Sequence, residues 1–132
     1  MTNQELEARN FLQDNGFTVN AIEGIMINLK HESGLNSRII QGGAVADEPP
    51  AGLKGGYGLA QWTGVRLDEL VIYAKSKGTI TGDFMTQLQF LVYEAKTSYP
   101  NAVEGVNAAN TPIVAANIWA KEYERTAYRY HL

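Results

Sequence analysis

Between Asn36 and Gly56 all helical periodicity disappears: Gly42-Gly43, Pro49-Pro50 and Gly55-Gly56 punctuate the segment. Proline and glycine pairs at that density exclude a continuous helix or a central strand. Whatever the chain folds into must wrap regular elements around an irregular stretch, and in a compact domain a loop of that length is usually functional or mobile.

The flanks are helical in pattern. Leu6, Phe11 and Leu12 support a first helix over Asn3 to Asn15, stopped at Asn15-Gly16. Thr18 is placed to cap a second, whose stripe Ile22, Ile25, Met26 and Leu29 follows the 3.6-residue period and ends at Gly34. After the loop, a short hairpin is expected around Gly55 to Gln61. Leu67, Leu70, Val71 and Ala74 then predict a helix over Val65 to Lys77, and Phe84, Leu88, Leu91 and Ala95 one over Asp83 to Ser98. Tyr99-Pro100 and Asn107 to Asn110 break the pattern, and Thr111-Pro112 opens a last helix running to about Arg125. With 132 residues and no internal repeat, the expectation is one mainly α domain, a compact bundle of five or six helices with a glycine-rich loop or hairpin after the second.

Chemistry concentrates at two places. Turning 100° per residue from Ile22 puts Glu32, in His31-Glu32-Ser33-Gly34, beside Ile25 at the edge of the apolar stripe. A half-buried position disfavours the charged carboxylate, the condition a proton donor working near neutral pH requires. The competing reading is a helix-edge glutamate that simply points to water. The second place is Gly55-Gly56-Tyr57-Gly58-Leu59-Ala60-Gln61-Trp62-Thr63, where glycines permit close backbone approach and Tyr57, Gln61 and Trp62 carry stacking faces and amide hydrogen bonds suited to sugars. Read structurally, the same run is a tight hairpin with Leu59 and Trp62 in the core.

Composition narrows the partners. A net charge of −3 gives no basic surface for nucleic acid. No run of about 18 apolar residues is present for membrane insertion, and Met1 to Arg9 lacks the apolar core of a signal peptide. With no cysteine, and with His31 and His131 far from ligand spacing, no metal and no cofactor are expected. His31 reads as a helix-end histidine and Arg66 as a first-turn surface arginine. Tyr73, Tyr93, Tyr99, Tyr128 and Tyr130 read as core and rim packing.

The motifs HESG, GGYGLAQWTG, the DxxxQLxFLxYE pattern from Asp83 to Glu94 and the helix ending Tyr123-Glu124-Arg125 occur in order from about Asn10 to Arg125. Together they resemble the phage tail lysozyme family, peptidoglycan-degrading domains of tail-tip proteins, and more distantly goose-type lysozymes and soluble lytic transglycosylases. The resemblance implies a lysozyme-like fold and cleavage of the β-1,4 bond between N-acetylmuramic acid and N-acetylglucosamine. Glu32 is then the catalytic acid, Gln61 the glutamine that lines the sugar site, and Tyr123, or by a shifted alignment Glu124, the group facing the acid. Thr126-Ala127 stands where the family commonly has proline after the arginine.

A second carboxylate decides between water-activating and nucleophilic mechanisms, and only Asp47 and Glu48, in the loop, are candidates. Thr63 stands where goose-type relatives place an aspartate. Tyr57, Gln61, Trp62, Thr63 and Tyr123 are expected to line the saccharide cleft, with Glu94 and Glu124 as structural carboxylates or, for Glu124, part of the site. The alternatives are a non-catalytic glycan-binding module and a structural tail-tip domain on the same fold. Expected partners are peptidoglycan glycan strands and other tail or secretion-machine domains; the expected place is the virion, or outside the cell as a module of a larger protein.

Overall fold

The computed structural model describes residues 1–131. Its helices are α1 (Asn3–Asp14), α2 (Val19–Ser33), α3 (Gly64–Lys77), α4 (Phe84–Ser98), α5 (Pro100–Ala108) and α6 (Pro112–Trp119), the last continued by a π-helical turn over Ala120–Glu124. The chain divides into two compact units, Met1–His31 with Val92–Leu132, and Glu32–Leu91.

In the first unit, hydroxyl caps fix the helix starts: Thr2, Thr18 and Thr111 accept from the amides of Glu5, Ala21 and Val114 at 3.1, 3.2 and 3.2 Å. The stripe residues Ile22, Ile25, Met26 and Leu29 are all buried, as their spacing requires. Trp119 stacks on Tyr123 with centroids 4.3 Å apart, and Phe17 meets Trp119 edge-on at 6.2 Å. Helix α2 meets α6 closely because Gly24 has no side chain; a Cβ there would lie 2.6 Å from both the Ala115 Cβ and the Ala116 amide nitrogen. Beside that contact the buried Asn28 amide donates to the carbonyls of Gly24 and Ala116, both at 2.9 Å. Gly24→Ala is therefore expected to destabilise the fold. Alanine would gain about 1 kcal/mol of helix propensity in an open helix, but overpacking against backbone costs roughly 1–3 kcal/mol. Urea unfolding should show a lower midpoint at unchanged m-value.

Helix α5 is not anticipated by the pattern, which reads Tyr99-Pro100 as a break. Pro100 instead occupies the first helical turn, where its missing N–H costs nothing. The short helix buries Ala102 and Val106 on one face and packs on α6. The last predicted helix divides into α6 and the π-helical turn, and Arg125 ends it in the left-handed region at φ 62°.

The second unit holds α3, the start of α4 and the irregular segment. Among the described residues this segment forms no strand, only isolated bridges: Ile39 to Val45, Ile40 to Tyr57 and Tyr57 to Trp62. The expected hairpin is thus a tight turn closed by one bridge. Gln87, fully buried on α4, holds the segment from inside. Its amide nitrogen donates to the carbonyls of Ser37 and Thr81 at 2.7 and 2.9 Å, and its oxygen accepts from the Leu59 amide at 2.9 Å.

Candidate active site

Glu32 lies in the last turn of α2, half-buried, as the stripe geometry predicts. Two successive left-handed residues follow, Gly34 at φ 61° and Leu35 at φ 63°, and they turn the chain sharply out of the helix. Glycine makes that conformation easy; Leu35 holds it while buried, an arrangement that surrounding packing must enforce.

The glycine-rich run is in the same unit. Tyr57 and Trp62 exchange backbone hydrogen bonds at 3.0 and 3.1 Å, and the Gln61 amide donates to the Gly58 carbonyl at 3.0 Å, closing a four-residue turn. Gly58 sits at φ 80° with the Gln87 side chain 2.7 Å from where a Cβ would be, so only glycine fits. Gln61 is itself left-handed at φ 54°, the kind of outlier that clusters at functional sites. Its side-chain nitrogen donates back to Gly58 and Ile39 carbonyls at 3.0 and 3.3 Å. The half-buried Gln61 side chain is thus held by the turn itself. Thr63, exposed, precedes α3 and makes no side-chain cap to it.

Two of the expected stacking surfaces are absent. Tyr57 and Trp62 are 0% and 2% exposed, so their rings have no face to offer a sugar. Trp62 packs edge-on against Phe90 at 5.6 Å, and the Tyr57 hydroxyl donates to the Ala46 carbonyl at 2.6 Å. A turn closed by one bridge must bury its flanking side chains to be stable, and these rings are what it buries. Their contribution is to hold the turn that carries Gln61. Tyr123 is also fully buried, in the first unit, and its hydroxyl donates to Glu94 at 2.6 Å. Glu124 follows it on the π-helical turn in that unit.

Asp47 and Glu48 are both exposed and both engaged nearby. Asp47 pairs with Arg38 at 2.7 Å, and Glu48 accepts from the backbone amide and hydroxyl of the buried Thr81. Loss of solvent around Tyr57 pushes its phenol up to about 12, with Glu48 and Asp47 adding to the effect and Arg38 opposing it. The unfolded phenol ionises near 10, so the fold favours the neutral form. That contribution is complete below pH 10 and lost as pH rises through 12. An alkaline titration followed by phenolate absorbance should show a step near pH 12 that Tyr57→Phe removes.

The sequence pattern gives Gln87 no role, although a glutamine between Phe84 and Leu88 on an apolar helix face is itself a signal that buried polar groups await it. No group of three or more histidine, cysteine or acidic side chains able to hold a metal occurs among the described residues.

The structure is that of a mainly helical domain in which a half-buried carboxyl at a sharply terminated helix end shares one unit with a glycine-rich turn carrying a left-handed glutamine. A family model described as phage tail lysozyme matches residues 3–131, and the chain belongs to that family. It is a lysozyme-like cell-wall lytic domain of the glycosidase class with peptidoglycan as substrate, and the family is consistent with a virion-associated location.

Proposed function

We propose that this domain cleaves the β-1,4 bond between N-acetylmuramic acid and N-acetylglucosamine, with Glu32 as the general acid that protonates the leaving glycosidic oxygen. The placement of Glu32 carries the reading: half-burial and the carbonyl end of α2 both disfavour negative charge there. Gln61 and Thr63 bind the saccharide near the bond to be broken. Tyr57 and Trp62 act from behind the turn.

The engagement of Asp47 by Arg38 and of Glu48 by Thr81 favours a route with one carboxyl. As Glu32 gives up its proton, the muramic N-acetyl oxygen bonds to C1 and the leaving sugar departs; the nucleophile then displaces that oxygen from C1 and gives its proton to the Glu32 carboxylate. The nucleophile is either water, giving a reducing muramic end, or the muramic C6 hydroxyl, giving a 1,6-anhydro end lighter by one water. Delivery on a phage tail accounts for access to the wall.

Mass spectrometry of products released from purified peptidoglycan, with and without borohydride reduction, tests the reading. Muramic ends of either kind support it. No release from walls of several chemotypes would leave a glycan-binding or structural tail-tip domain. Asp47→Asn and Glu48→Gln are expected to keep turnover; a loss on the order of a hundredfold in either would make that carboxylate the water-activating base.

A further inference from the structure

The segment after the π-helical turn has no regular structure, yet it is firmly held. Asn117 grips the main chain of Tyr130 from both sides, accepting from its amide at 2.6 Å and donating to its carbonyl at 2.9 Å. The Tyr130 hydroxyl donates to the buried Asn28 at 3.3 Å. Ordering an irregular segment in this way costs conformational entropy, and its consequence falls on Tyr128. The Tyr128 ring lies on the imidazole of His31, centroids 4.2 Å apart at 29°, and Tyr130 meets both rings edge-on at 5.6 and 4.9 Å. His31 is the residue before Glu32 in α2. Tyr128 remains 46% exposed. From Arg125 to His131 the chain carries two arginines and no acid, although the whole chain is negative.

We infer that the Tyr128–His31–Tyr130 cluster is a glycan subsite, a shelf on which an N-acetylhexosamine ring of the peptidoglycan strand stacks. The inference rests on the glycosidase reading for its ligand. An exposed ring fixed by stacking presents an apolar face with polar edges at small entropic cost, which matches the apolar C–H face and hydroxyl rim of a pyranose. Muramyl lactyl groups and stem peptides carry carboxylates, and Arg129, held by the Thr126 and Tyr128 carbonyls, puts a positive charge next to Tyr128 that complements them.

The test uses the full chain as Glu32→Gln, so that the wall is not consumed, and measures its co-sedimentation with purified peptidoglycan sacculi. Adding Tyr128→Ala should weaken binding roughly 3- to 10-fold without lowering the melting midpoint, and Tyr128→Trp should retain it. Unchanged binding by Tyr128→Ala would overturn the shelf, as would equal loss in Tyr128→Trp or no co-sedimentation of the chain with Tyr128 intact. If the wild type releases no muramic ends while Tyr128-dependent binding persists, the glycosidase reading fails and the shelf stands.

Discussion

Glu32→Gln is expected to cut the release of soluble glycan by at least about a hundredfold, and by up to roughly ten-thousandfold, the usual worth of a positioned proton donor. Glutamine has nearly the shape of glutamic acid, so the end of α2 should be preserved. What it lacks is a proton to give to the leaving oxygen and a carboxylate to receive one afterwards. Unfolding midpoint and wall binding are therefore expected to stay near wild type while turnover falls, a separation that distinguishes lost chemistry from lost structure. A variant that melts normally and still releases muramic ends at the wild-type rate would exclude Glu32 as the acid. Glu32→Asp is a stricter probe: it keeps the acid but withdraws it by one methylene, and a misplacement on the order of an ångström costs about a hundredfold in well-oriented reactions.

The position of Glu32 was legible because it depends on local periodicity. Ile22, Ile25, Met26 and Leu29 define a face, and 100° per residue then puts Glu32 at its margin, where the structure has it half-buried. Caps were legible for the same reason, since Thr18 and Thr111 act on amides three residues away. Helix α5 was hidden by its composition, for alanine, asparagine and glycine over Pro100–Ala108 leave only Ala102 and Val106 to mark a face. In the turn, local pattern could not tell a sugar platform from packing. Tyr57 and Trp62 are adjacent across one bridge, and which way their rings point is set by Ile40, Phe90 and Ala46, all distant in sequence. Tyr128 and Tyr130 lie at the rim, as their spacing suggests, but their stacking with His31 was not legible, because Asn117 and Asn28 hold Tyr130 through bonds no local window contains.

Gln87→Leu should produce the largest loss of stability among single changes in the second unit. Leucine fills similar volume, so the effect isolates hydrogen bonding. The native amide makes three buried bonds at once, to Ser37, Thr81 and Leu59, spanning 50, 6 and 28 residues of sequence. Removing it strands two carbonyls and one N–H away from water. At about 1–3 kcal/mol for each unsatisfied group, with partial relief from relaxation, the expected cost is about 3–5 kcal/mol, a large part of a small domain's stability. Because the Leu59 amide sits inside the turn between Gly58 and Gln61, the loss should also loosen the backbone that holds Gln61 left-handed. Chemical denaturation should therefore show a lowered midpoint. Amide hydrogen exchange should show protection lost first at Leu59, Gln61 and Trp62. Gln87→Glu offers a graded comparison, since its carboxylate keeps the acceptor for Leu59 but cannot donate to Ser37 or Thr81 while ionised. If both variants unfold at the wild-type midpoint, the three bonds do not hold the turn, and the constraint on Gln61 must come from Gly58 and the Tyr57–Trp62 bridge alone.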